Sequence, residues 1–206
     1  MNTNLPTPRL APLPEDHSPA LADAFATVAG ILGFVPNSFR IMQRRPILVE
    51  TFARLVAAVW VRDAKVDHEF KRLVGIVASR AAGCQYCMAH NASVALALGI
   101  DADKLESVWN FESSPLFTPA ERVALEVAFA AGSVPNGVTD EMFDRMKAYW
   151  SEEQIVEIVG VIALFGFMNR FNDTMATPLE AGPLAAAEKH LAAGGWRIGR
   201  HARAGP

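Results

Sequence analysis

Residues 72–90 read Arg72-Leu73-Val74-Gly75-Ile76-Val77-Ala78-Ser79-Arg80-Ala81-Ala82-Gly83-Cys84-Gln85-Tyr86-Cys87-Met88-Ala89-His90. From Leu73 to Ala78 the chain is apolar on nearly every face and rich in β-branched residues, so a central strand competes with a buried helix. Length decides for the helix: the run passes strand length without a turn signal, and Gly83 then supplies a stop. Ile155 to Phe167 has the same character and takes the same assignment. Working outward, Thr118-Pro119-Ala120-Glu121 and Ser151-Glu152-Glu153-Gln154 are capping boxes that mark two helix starts. Met142, Phe143, Met146, Tyr149 and Trp150 recur at three- and four-residue steps, as on one amphipathic surface helix. Helices are predicted near 19–32, 37–43, 46–61, 67–81, 84–98, 102–110, 119–131, 139–149 and 152–175. The expected class is all-α.

With 206 residues, 51% hydrophobic and 20% charged, the chain is long enough for one domain with a sizeable core. A net charge of -3 gives no field to draw in nucleic acid or an acidic membrane surface. The first 15 residues carry four prolines and no apolar segment behind basic residues, which fits neither a signal nor a transit peptide. The longest apolar run, Ile158 to Met168, has 11 residues, where a bilayer needs roughly 20. A cytoplasmic protein with no membrane or nucleic-acid partner is expected.

Self-comparison aligns Arg72–Ala78 on Glu157–Ala163 at an offset of 85, which sets Asn169 against Cys84 and Asn172 against Cys87. The expected organisation is an irregular arm over 1–17, a helical domain over 18–180 and a tail over 181–206. Two degenerate helical repeats, near 46–110 and 119–176, make up the domain. The tail shifts toward alanine, glycine and basic residues and reads as solvated or docked on a neighbour, with any helix in it expected near 184–193.

Cys84 and Cys87 are the only cysteines, and their spacing bars them from stapling distant segments. Gly83 places them at a helix start, where the dipole and free amides lower a thiol's pKa. At about 100° per residue, Cys87 lies between Cys84 and His90, one turn from each. His90 can take the Cys87 proton, the thiolate can attack a peroxide, and Cys84 can condense with the resulting sulfenic acid. An external dithiol reductant would reset the pair. Zinc is the sharper rival, but these three side chains do not converge on one ion from a regular helix, and no second CxxC exists. Neither a metal nor another cofactor is called for; a purely structural pair of buried thiols is the remaining reading.

The stretch Leu73 to Ala97 resembles the carboxymuconolactone decarboxylase and alkylhydroperoxidase D (AhpD) superfamily. Gly33-Phe34-Val35-Pro36-Asn37-Ser38 and Phe165 to Thr174 resemble its longer, peroxidase-related members. The resemblance implies an all-α fold built from a repeated helical unit, assembly into homo-oligomers, and a CxxC-x-x-His peroxidase centre. Cys87 then matches the peroxide-attacking thiol, Cys84 the resolving thiol and His90 the relay histidine. The family's relay glutamate, 12 residues before the first cysteine, is here Arg72. Glu157 is the preferred replacement, from the equivalent position of the second repeat, with Glu69 as the other choice. Tyr86 either donates a hydrogen bond to the site or packs; Asn169 and Asn172 either satisfy an interface between repeats or line the pocket. The expected activity is thiol-dependent reduction of a hydroperoxide. The alternatives are a cofactor-independent lactone decarboxylase and a non-catalytic, redox-responsive helical assembly.

Overall fold

A computed structural model describes residues 9–202, so the first eight residues of the expected arm lie outside it. Among the described residues, ten α-helices occur in this order: α1 Ala22–Leu32, α2 Asn37–Met42, α3 Pro46–Val59, α4 His68–Ala81, α5 Gln85–Leu98, α6 Ala102–Glu106, α7 Pro119–Gly132, α8 Asp140–Lys147, α9 Glu152–Met175 and α10 Ala181–His190. Short 3-10 turns extend the chain before α1, after α6 and after α10, and no strand occurs among the described residues. The all-α expectation holds. The capping boxes at Thr118 and Ser151 are both formed, with each hydroxyl accepting from the third amide and each N3 side chain returning the bond.

Helix α4 is the hub. Every residue from Phe70 to Ser79 is buried, because α5, α7 and α9 all pack on it, which is why the sequence there has no polar stripe. Small residues set how closely those helices approach. A Cβ on Gly75 would stand 2.8 Å from Asn91 Nδ2 and from a Phe165 ring carbon, and one on Gly132 would stand 2.6 Å from the Ala78 carbonyl oxygen. Helix α9 is long and apolar enough to cross a bilayer by composition. In the fold, one side of it (Ile155, Ile158, Val161, Ile162, Phe165) is buried against its neighbours. Its other side leaves Val156, Val159 and Phe167 exposed.

The offset of 85 brings α4 and the first part of α9 into correspondence, and these two segments pack on each other. Beyond that the two halves differ. Gly83 takes a left-handed φ of 78° and turns the chain between α4 and α5, whereas its counterpart Met168 lies inside α9, which runs straight on to Met175.

The segment 181–202 is not a solvated tail. Helix α10 lies along α5, and Pro183, Ala187, His190, Leu191, Trp196 and His201 are buried. Its alanine-rich composition hid this, since small side chains let α10 pack closely while two isolated anchors secure the chain beyond it. The Trp196 indole N–H donates to the Gln85 carbonyl at 3.0 Å, and the Leu179 amide donates to the His201 carbonyl at 2.9 Å. The domain therefore extends at least to residue 202.

Candidate active site

Gly83 ends the α4 segment and leaves Cys84 as the extended residue before α5, so the two thiols stand at the helix start. Both are buried and unbonded to each other. Cys84 has no exposed surface. Cys87 instead forms part of the wall of a narrow cavity of about 50 Å³. Apolar and aromatic side chains make most of that cavity, among them Phe39, Phe52, Trp60 and Phe165, with Arg72, His90, Asn91 and Asn172 as polar members.

The two sulfurs titrate as a unit. Burial pushes the Cys84 thiol up, but hydrogen bonds from the Cys87 thiol, the His201 imidazole and the Cys87 amide outweigh it and bring Cys84 down to about 6. Cys87 is driven well above the ordinary thiol range, first by burial and then by the hydrogen bond and charge of Cys84, against a bond from Asn172. The hydrogen bond between the sulfurs thus favours the thiolate on Cys84 and keeps the proton on Cys87.

His201 is the residue the sequence did not point to. Its Nδ1 lies 2.8 Å from the Thr177 carbonyl oxygen, which only accepts, so Nδ1 carries a hydrogen, while Nε2 is buried without a hydrogen-bond partner and the imidazole lies close enough to Cys84 to lower its thiol. Asp173 Oδ1, 3.9 Å from Nε2, adds a carboxylate on the same side. No spacing rule connects residue 201 with residue 84; only the packing of α10 on α5 brings them together.

The expected relay carboxylate is also elsewhere. Glu157 does not reach the thiols: it accepts from the Lys65 and Val66 amides at 2.7 and 3.2 Å and pairs with the buried Lys71 ammonium at 2.8 Å. Glu69 is exposed on the first turn of α4. The carboxylate beside His90 is Glu180. Its Oε2 is 2.7 Å from His90 Nε2, and its Oε1 accepts from the Tyr86 hydroxyl at 2.9 Å and from the Asn37 amide at 2.5 Å. Burial pushes Glu180 up, but the charge and hydrogen bond of His90, with the Asn37 amide, hold it below the usual carboxylate value. The carboxylate accepts from Nε2–H, so His90 is bonded to Glu180 rather than to Cys87. Tyr86 does both things expected of it, since its ring also stacks on His90 at 4.3 Å between centroids.

Asn172 Nδ2 donates to Cys87 Sγ at 3.5 Å, a contact between the two positions that the offset of 85 pairs. Asn169 is buried, with its Oδ1 unpartnered. Arg72 is buried too, its guanidinium 3.5 Å from the Trp60 ring centroid, and burial brings it down to about 9, so it stays charged at neutral pH. No cluster of histidine, cysteine or carboxylate side chains able to hold a metal ion occurs among the described residues.

Residues 46–130 match the carboxymuconolactone decarboxylase family. The uncharacterized protein YnjA of Escherichia coli K12 is 27% identical over 148 residues, which cover 72% of this chain and 81% of YnjA. Among solved structures, the debrominase Bmp8, as a cysteine-to-alanine variant in complex with 2,3,4-tribromopyrrole, superposes with a TM-score of 0.82 at 32% identity, covering 92% of this chain and 98% of Bmp8. An uncharacterized peroxidase-related protein from Ralstonia eutropha JMP134, described as an AhpD core, superposes with a TM-score of 0.74 at 21% identity, covering 86% and 95%.

Proposed function

As the chain belongs to the carboxymuconolactone decarboxylase and AhpD superfamily, we propose that it is a dithiol enzyme that reduces a small hydroperoxide by two electrons. The observation that carries this reading is the position of Cys87, in the wall of the apolar cavity with Cys84 hydrogen-bonded behind it. A space of about 50 Å³ holds a few waters, and a hydroperoxide head is of that size.

As the peroxide enters, the Cys87 proton passes to Cys84, which puts the negative charge on the sulfur facing the cavity. Cys87 Sγ then attacks the terminal oxygen, the O–O bond breaks, and the departing alkoxide takes a proton from imidazolium His90, whose charge Glu180 supports, to leave as an alcohol; His90 regains that proton from solvent. Cys84 loses its proton to His201 and attacks the Cys87 sulfenic acid, forming the disulfide and expelling hydroxide, which is protonated to water. One hydroperoxide and two thiols give one alcohol, one water and one disulfide. An external dithiol returns the two electrons.

The test is to treat reduced protein with one equivalent of hydrogen peroxide or tert-butyl hydroperoxide and follow the intact mass. Wild type should lose two hydrogens to a Cys84–Cys87 disulfide, Cys84→Ser should accumulate a sulfenate at Cys87, and Cys87→Ser should be inert. Two free thiols in the wild type after stoichiometric peroxide would rule the reading out. Reductive debromination is a second reading, supported by the 32% identity to Bmp8 together with the aromatic walls of the cavity. Bromide release from 2,3,4-tribromopyrrole in the presence of a dithiol, with no response to peroxide, would select it.

A further inference from the structure

Arg72 lines the same cavity as Cys87 and is 3% exposed. Its Nε has no hydrogen-bond partner, and none of the ion pairs among the described residues includes it. The face of Trp60 offsets part of the charge but does not satisfy the in-plane Nε–H. A buried guanidinium without a carboxylate is costly, and proteins normally provide a counter-ion. Its neighbour on the helix shows the ordinary solution: Lys71 is buried as well, and Glu157 pairs with it. The thiols are not the missing partner, since the groups that set their titration are each other, His201, Asn172 and Asp173. Glu180 is committed to His90, Tyr86 and the Asn37 amide.

We infer that Arg72 is the anion subsite of the cavity, and that the substrate is a monoanion in which a carboxylate or comparable group sits on a short apolar body carrying the electrophilic atom. Arg72 binds the charged end, the aromatic walls cover the body, and the electrophile reaches Cys87. Asn91 Oδ1 and Asn172 Oδ1, both buried, unpartnered and in the cavity, accept from an O–H or N–H on the same molecule. The guanidinium also rejects small cations and makes neutral analogues poorer ligands, because they leave its donors unsatisfied.

The inference rests on Cys87 being the attacking thiol, and it is tested without peroxide. Iodoacetate and iodoacetamide are alike in size and differ by one negative charge. The rates at which each alkylates Cys87, assigned by peptide fragmentation, are divided and compared with the same ratio for glutathione. In the wild type the ratio should favour iodoacetate at least tenfold over glutathione. It should return to the glutathione value in Arg72→Met and remain mostly intact in Arg72→Lys. A wild-type ratio equal to that of glutathione, or one unchanged in a folded Arg72→Met protein, overturns the inference. Should Arg72→Met not fold, the wild type decides: propionate should protect Cys87 from iodoacetamide and propionamide should not, and equal protection or none by either also overturns it. A charge preference in a protein that ignores hydroperoxides would sink the proposed reaction and leave the subsite standing.

Discussion

Glu180 gathers a histidine, a tyrosine hydroxyl and a backbone amide around one carboxylate, and this arrangement fixes what each carboxylate variant should do. Glu180→Gln keeps the shape but removes the charge that supports His90, so peroxide-driven oxidation of Cys87 should slow by roughly tenfold to a thousandfold. Because its folded value lies below 4.5, Glu180 contributes its full stabilisation above that pH, and the contribution is lost as pH falls through the folded value. Acid unfolding of Glu180→Gln should accordingly show a shallower pH dependence below about pH 5. Glu157→Gln should leave thiol reactivity unchanged and cost about 1–3 kcal/mol in urea unfolding, since it weakens the partner of buried Lys71. The sequence showed Cys84, Cys87, His90 and Arg72 to be the residues of interest, because helical spacing and the family motif join them. It could not show Glu180 or His201. Each comes after a chain reversal beyond Met175, and no periodicity carries information across a reversal.

Among the helices, the sequence was legible to within a few residues: caps at Thr118 and Ser151 and the stop at Gly83 all delimit elements near the expected positions. Local chemistry writes those signals, and local chemistry honours them. The pattern did not show which apolar face meets which. Gly75 and Gly160 occupy equivalent places in the aligned segments, yet only Gly75 is closed in by Asn91 and Phe165, while nothing lies within 4 Å of a Cβ on Gly160. Gly75→Ala should therefore force α4, α5 and α9 apart and cost about 1–3 kcal/mol. Gly160→Ala should be neutral or stabilise by up to about 1 kcal/mol, through helix propensity alone. Thermal or urea unfolding of the two variants separates them, and equal effects would show that the helices do not pack as described.

On the scale of the whole molecule, the C-terminal segment finishes the site that the α4–α5 turn begins. Trp196→Ala should free it: stability should fall by about 3–5 kcal/mol, and alkylation should find Cys84 faster, with its thiol returning toward the ordinary range as His201 withdraws. Unaltered Cys84 reactivity in a variant that has lost that stability would show that the segment does not govern the thiol. The order in which the parts are made then matters. His201 leaves the ribosome about 115 residues after the thiols, an interval of roughly 6–23 s at ~5–20 residues per second. For that time Cys84 and Cys87 belong to a nascent chain without Glu180 or His201, and their oxidation is decided by the surrounding redox poise and by any chaperone that covers them. A disulfide formed between them during synthesis is therefore made by the cell's chemistry and not by the folded site.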